Sequence, residues 1–288
     1  MIPDYPNPLQ NSEPYVDTGF KAAAYEAFMR DNLTIIDKDT REVPLIANPP
    51  QQSLNYFMQY YYDLVILKAR KLGFSSDALG IATTKFLTGR NEKCVSMSFD
   101  ASASDKQLMR AKHYIRSYEI KNNIKVPMKY NSKSEMVWEA TDENGRPFVN
   151  TLRVGTARNT SFGRGDDITF LHLTEVSLSD VIALLAGVGE ACVRGAHKIL
   201  ETTANGFNTY KQFWDATCRN ETGFAALFYS PLWEYDEAYL AAKEKALGKL
   251  FPQEFPDTPE MAFLTSGDSY FDQDAMRWYL RQMELDYA

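Results

Sequence analysis

Short apolar runs alternate with longer amphipathic stretches from residue 64 onward. Leu64 to Ala69 reads LVILKA, a compact run of the kind a strand buried on both faces requires, and Gly73 with Ser75 and Ser76 opens a helical stretch, SDALGIATTKFLT. The alternation repeats: CVSMSF precedes the helical SDKQLMRAKHYIRSYE, ITFLHL precedes SLSDVIALLAGVGEACVR, and HKILETT precedes NTYKQFWDATC. This order predicts an α/β fold with a mainly parallel sheet and helices on both faces. Ahead of it, GFKAAAYEAFMRDN has helical periodicity, LTIID and EVPLI read as short strands, and a helix is expected over SLNYFMQYYY after the Pro49-Pro50 break. Residues 133–156 differ. SEMVWEA and FVNTLRVGT flank TDENGRP, with Asn144-Gly145 between them, which predicts a small β-hairpin insertion.

Composition adds limits. A chain of 288 residues with 44% hydrophobic content, 17 Tyr, 17 Phe and 4 Trp has ample material for a buried core. No apolar run approaches the roughly 18 to 20 residues needed to cross a bilayer, and MIPDYPNPLQ lacks the basic-then-apolar order of a leader, so a soluble, non-secreted protein is expected. Cys94, Cys192 and Cys218 are far apart and odd in number, which predicts buried thiols and neither a disulfide framework nor a zinc site. The net charge of −7 does not itself point to nucleic acid, but Lys and Arg gather between Lys106 and Lys133 while the segment after Leu232 is acidic. On the helix after CVSMSF, Lys106, Arg110, His113, Ser117 and Lys121 fall on one face, a candidate surface for DNA phosphates or simply a solvated one.

The candidate chemistry sits where strands end. A buried strand running through a Gly-containing turn into a helix presents free N–H groups and a favourable dipole to phosphate. The usual pattern GxxxxGK[ST] is not matched, because Lys68 stands at the first Gly and Phe74 at the Lys. Cationic charge is available from Lys68, Arg70 and Lys71, and Lys71 is slightly favoured because it lies within the turn. Ser75 occupies the register of a Mg²⁺-ligating hydroxyl, with Ser76 as its substitute. On the next candidate strand end, Glu175 is placed to activate a water for attack on a γ-phosphate and Thr174 to hold a metal-bound water in place of the usual Asp. Thr202, Thr203 and Asn205 follow one strand later, as hydroxyl and amide groups able to sense that phosphate. Arg153, Arg158 and Arg164 lie between the hairpin and the acidic strand, where an arginine could reach it too. His113, His172 and His197 show no metal-like spacing and receive no role.

Together these residues resemble the large terminase family of tailed phages and prophages. KARKLGFSS is similar to that family's KARQxGxST loop, LHLTEV to its LHxSE motif, and Thr202-Thr203-Ala204-Asn205-Gly206 to its coupling motif STANG. NPPQQ resembles the segment that contacts adenine, which implies Gln51 or else Gln52. Gly163-Arg164-Gly165 resembles the loop before the acidic strand, and FPQEFPDTPEMAFLTSGDSYF the connector between motor and nuclease. The resemblance, from about Pro44 to Phe271, implies a P-loop NTPase of the RecA/ASCE type. It divides the chain into an N-terminal extension (1–43), an ATPase domain (44–250) and a connector (251–288), with no nuclease activity expected. The ATP-binding set implied is Gln51, Gln52, Lys68, Arg70, Lys71, Gly73, Phe74, Ser75 and Ser76, with Mg²⁺ on Ser75 and, through water, Thr174. Glu175 would be catalytic together with Arg158, Arg164 or Arg70. The implied function is ATP hydrolysis that drives double-stranded DNA into a preformed capsid. The implied partners are the portal protein, the small terminase subunit and further copies in a ring, with no membrane. The implied location is the host cytoplasm and transiently the portal, not the mature virion. A helicase-like ATPase and a nucleotide-binding structural protein are the alternatives.

Overall fold

The computed structural model of the protein describes residues 16–157, 165, 167–264 and 278. Helix α1 (Ala22–Asn32) leads into a two-stranded antiparallel ribbon, β1 (Thr34–Ile36) and β2 (Glu42–Pro44). Helix α2 (Pro49–Met58) begins on the prolines rather than after them, because proline is tolerated in a first helical turn whose N–H groups have no intrahelical acceptor. Asn48 caps it from the preceding position, its side chain accepting the Gln51 N–H.

The expected alternation follows: β3 (Asp63–Lys68), α3 (Phe74–Thr88), β4 (Lys93–Ser98) and α4 (Ala101–Asn122). The predicted hairpin is present as β6 (Glu135–Thr141) and β7 (Pro147–Thr156), joined by a turn over Asp142–Arg146, and β5 (Met128–Asn131) adds a strand beyond the predicted set. After β8 (Ile168–Thr174) the expected long helix shrinks to a 3-10 turn, Val176–Leu178, and α5 (Val181–Gly187). Gly187 and Gly189 weaken further helix, and Cys192 already pairs with Ile168 as β9 (Cys192–Thr202) begins. Helix α6 (Thr209–Cys218), a further strand β10 (Ala225–Tyr229), and helices α7 (Glu237–Leu247), α8 (Phe251–Glu254) and α9 (Pro259–Leu264) complete the described elements.

The eight-stranded sheet has the order β10-β3-β9-β8-β4-β7-β6-β5, parallel from β10 to β7 and antiparallel beyond. Strand periodicity of two divides its residues between two cores. Leu64, Ile66, Cys94, Phe170 and Ile199 face the layer of α1 to α4. Val65, Leu67, Val95, Met97, Leu171, Leu173 and Leu200 face α5, α6 and α9. Helix α9 lies within the span expected to be a connector, yet its Phe263 is buried against Tyr210 and Trp214.

The thiols depart from expectation: Cys94 is buried, but Cys192 and Cys218 are only half-buried. The polar face expected on α4 is also corrected. Ser117 is buried and accepts the Thr34 N–H at 3.1 Å, and His113 Nε2 lies 3.1 Å from Thr34 Oγ1. The β1–β2 ribbon therefore covers the middle of that face, and only its ends, Lys106 and Lys121, are exposed.

Candidate functional site

The turn between β3 and α3 is bound on one side and open on the other. Ala69 N–H donates to Tyr229 O and Arg70 N–H to Glu254 O, each at 2.9 Å. Side chains then take the next three carbonyls. Tyr235 Oη donates to Lys71 O at 3.0 Å, Asn48 Nδ2 to Leu72 O at 3.2 Å and Gln51 Nε2 to Gly73 O at 2.8 Å. The five N–H groups from Lys71 to Ser75 donate to no protein oxygen among the described residues. The first N–H groups of a helix have no intrahelical acceptor, so this row, a cradle at the start of a 15-residue helix, can receive an anion. Gly73 takes φ +85°, and a Cβ on it would come within 2.5 Å of Gln51 Nε2, so conformation and close approach both require glycine. Asn48→Ala removes the α2 cap and the tie to Leu72 together. It is expected to cost about 0.5–2 kcal/mol, seen as a thermal midpoint a few degrees lower.

Beneath the cradle lies a charged cluster. On the sheet face covered by α3, strand phase sets Lys68 in line with Ile66, and Glu201 pairs in register with Ile66 on β3 and Thr174 on β8. Glu201 is 1% exposed. Its Oε2 is 3.2 Å from Lys68 Nζ, while Oε1 accepts from Ser75 Oγ and lies 3.4 Å from His172 Nε2. That last contact is not a well-aligned hydrogen bond, since His172 Nε2 has no hydrogen-bond partner among the described residues. Ser75 Oγ is also 3.2 Å from Thr174 Oγ1. Burial works to raise the Glu201 pKa, but Lys68, His172 and the Ser75 hydroxyl outweigh it and hold the carboxyl well below the usual range. Behind this cluster, His172 Nδ1 is 2.9 Å from Ser96 Oγ, which donates to Gln107 Oε1 of α4 at 2.8 Å.

Glu175 follows β8 with φ 58° and ψ 35°, a left-handed conformation uncommon for a non-glycine residue, and its N–H donates to Glu201 O at 2.8 Å. The side chain reaches solvent. Partial burial and the negative charge of Glu201 push its pKa up, against Lys68 and Arg70, which pull it down. The next turn is joined to the one after β9: Ser177 Oγ is 2.7 Å from Thr202 Oγ1, and Ser177 O accepts from Asn208 Nδ2 at 2.6 Å and Asn205 Nδ2 at 3.4 Å.

Several expected positions are thereby brought together, and others are not. Ser75, Thr174 and Lys68 converge. Lys71, the cation slightly favoured from the sequence, is exposed with φ 62°, and the lysine that pairs with Glu201 is Lys68. Phe74 is 1% exposed and packs on Tyr229 with ring centroids 4.8 Å apart, so its side chain belongs to the core and only its backbone N–H faces the cradle. Ser76 N–H turns back to Gly73 O at 3.0 Å, and Ser76 O accepts from Tyr114 Oη. Arg70 pairs with Glu254 at 2.9 Å, and Arg153 with Glu135 at 3.6 Å on the hairpin side of the sheet. Both ends of the Gln51 amide are occupied, by Asn48 N–H and by Gly73 O, so its work here is to tie α2 to the turn. Gln52 spends one N–H on Ala47 O. Thr203 is half-buried and Asn205 exposed. Arg158 and Arg164 lie outside the described residues. Glu201 and His172 were not among the expected site residues. The signal for both is a charged or titratable group in phase with the buried positions of an apolar strand.

No protein-family model and no curated protein matches the chain. Solved structures do. The large terminase ATPase domain of Thermus phage P74-26 is similar with a TM-score of 0.53 and 13% identity, over 66% of this chain and 86% of that one. The bacteriophage HK97 large terminase is similar with a TM-score of 0.58 and 16% identity, over 85% of this chain and 51% of that one. The large terminase of another thermophilic bacteriophage, solved in complex with ADP, gives 0.51 and 10% over 68% and 47%. The chain spans about half the length of these last two. With its mostly parallel sheet, its open N–H turn and these likenesses, the chain has the fold of the ATPase domains of phage large terminases.

Proposed function

We propose that the chain binds and hydrolyses ATP, and that it is the motor domain of a large terminase that drives double-stranded DNA into a preformed capsid. One observation carries the nucleotide reading: five successive N–H groups, Lys71 to Ser75, are held without acceptors among the described residues at the start of α3, above the Lys68 ammonium. A polyphosphate supplies the acceptors those donors lack. Glu175, left-handed at the end of β8 and raised in pKa, has the basicity and position for orienting a water against the terminal phosphate. The residues also fit Mg²⁺, because Ser75 Oγ, Thr174 Oγ1 and a Glu201 oxygen meet around one point. Bound there with nucleotide, the ion would neutralise charge building on the phosphates.

The remaining assignments rest on the sequence resemblance and on the fold. Residues 44–250 are read as the ATPase domain, with 1–43 as an extension and 251–288 as a connector. Thr202, Thr203 and Asn205 are read as the coupling turn, and the joint bonding of Thr202 and Asn205 with Ser177 after the acidic strand supports this. Arg158 or Arg164 is read as the arginine supplied to a neighbouring copy, because Arg70 is already paired with Glu254. The phage terminase solved in complex with ADP supports nucleotide as ligand. DNA, portal protein, small subunit and a ring of copies are the partners this reading assigns, in the host cytoplasm and at the portal.

Measuring Mg²⁺-dependent ATP hydrolysis against protein concentration tests it. An arginine supplied in trans makes specific activity rise with concentration, and more steeply when portal and DNA are added. Nucleotide binding with no hydrolysis under any of these conditions would favour a structural nucleotide-binding protein. Activity independent of concentration would remove the trans arginine.

A further inference from the structure

The acidic strand of this protein carries one carboxylate fewer than its chemistry calls for. In P-loop NTPases a loop hydroxyl and an Asp at the end of the acidic strand hold the magnesium, and Mg²⁺ generally takes one or two carboxylates together with phosphate oxygens and water. Thr174 stands at that Asp position and is neutral. Among the described residues there is no group of three His, Cys, Asp or Glu side chains that could hold a metal ion.

A carboxylate is nevertheless present one strand away. Glu201 pairs in register with Thr174, so the two side chains leave adjacent strands on the same face. Its Oε1 contacts the same Ser75 hydroxyl that lies 3.2 Å from Thr174 Oγ1. It is buried, and its charge is balanced by Lys68 at 3.2 Å. A buried carboxylate left unpaired is strongly unfavourable. If Lys68 turns to a phosphate, Glu201 needs another cation, and a divalent ion beside Ser75 meets that need.

Resting on the nucleotide reading above, we propose that Glu201 is the anionic protein group of the magnesium site, taking the part of the aspartate absent at Thr174. Lys68 and Glu201 hold each other in the structure. On loading, Lys68 passes to the phosphates and Glu201 to the metal.

The test is binding of a fluorescent ADP analogue to the full chain, in EDTA and across a Mg²⁺ titration. In Glu201→Gln the Mg²⁺ concentration giving half of the metal-dependent tightening should rise at least tenfold. Affinity in EDTA should stay the same or increase, because Lys68 is released. Thr174→Asp added to Glu201→Gln should bring the Mg²⁺ midpoint back towards wild type. Should Glu201→Gln not fold, Glu201→Asp keeps the charge but withdraws it by one methylene, and its midpoint should also rise. An unchanged Mg²⁺ midpoint in the folded variant overturns the proposal. So does an equal loss of affinity with and without metal, the pattern of a carboxylate that only orients Lys68. Absence of binding by the wild-type chain in both conditions overturns the nucleotide reading itself, and this inference with it.

Discussion

Glu175→Gln is expected to lower ATP turnover by about 10²- to 10⁴-fold while nucleotide affinity stays within a few-fold of wild type. The amide keeps the size of the side chain and loses the base. Among the described residues Glu175 makes no hydrogen bond to the cradle that would hold phosphate, and its tie to the cluster is through its backbone N–H, which the substitution leaves alone. The left-handed backbone at φ 58° should persist as well, because the Glu201 carbonyl that anchors it is unchanged. The pH profile provides a second readout. A general base works when deprotonated, so wild-type turnover should fall as pH drops through the Glu175 pKa. Burial and the Glu201 charge raise that value, so the acid limb should lie above the ordinary range for a glutamate, about 4.3. The residual activity of Glu175→Gln should lack this limb. Turnover of the variant near wild type, with the limb intact, would move the base elsewhere.

Lys68→Ala should destabilise the fold by about 3–5 kcal/mol, the cost of leaving a buried carboxylate without its cation. It should also weaken nucleotide binding, whereas Lys71→Ala should leave stability close to wild type, because Lys71 is exposed. The pH dependence has a definite sign. The folded-state pKa of Glu201 is depressed, so the contribution of the pair is present above the unfolded value of about 4.3 and is lost as pH falls through the lower folded value. In Lys68→Ala the same burial acts without Lys68, so Glu201 is most costly at neutral pH. The stability gap between wild type and variant should therefore narrow on acidification. Adding Glu201→Gln to Lys68→Ala should restore much of the loss, a coupling that two independent residues would not show. Phe74→Lys, which restores only the lysine of the common motif, should not rescue binding. Its side chain would enter the core against Tyr229 rather than the cradle. Equal denaturation midpoints for Lys68→Ala and Lys71→Ala would refute the assignment.

Periodicity made the architecture readable because each apolar run is bounded by turn residues and followed by a helix-length segment. The same periodicity also marks a buried ion pair. In LVILK, counting by twos from Leu64 puts Lys68 on the α3 side of the sheet, and in KILET it puts Glu201 in phase with Ile199. A charged group at a core phase is costly unless it is paired, so these two residues implied each other. What periodicity does not carry is the path of a turn. Lys71 takes a positive φ that nothing in KARKLG dictates. Phe74 stands at a ligand position of the motif, yet as an aromatic residue beginning a buried helix it packs into the core. The polar face of α4 is legible as a pattern, but its cover, the β1–β2 ribbon, comes from residues about eighty positions earlier. Arg153, by contrast, is held by its cross-strand neighbour Glu135, a pairing fixed only once the hairpin register is known.

The position of β9 between β3 and β8 sets a length. Neighbouring strands run about 4.8 Å apart, so roughly 10 Å separates the strand that delivers the cradle from the strand that delivers Glu175. Ladder hydrogen bonds on both sides of β9 hold that span, and it cannot stretch or shrink much without breaking them. The sheet is a fixed ruler laid beneath the site. On the nucleotide reading proposed above, movement is expected in the two short turns that leave the ruler's edge, after Thr174 and after Thr202. Because Ser177 ties one to the other, they would have to move as a single piece.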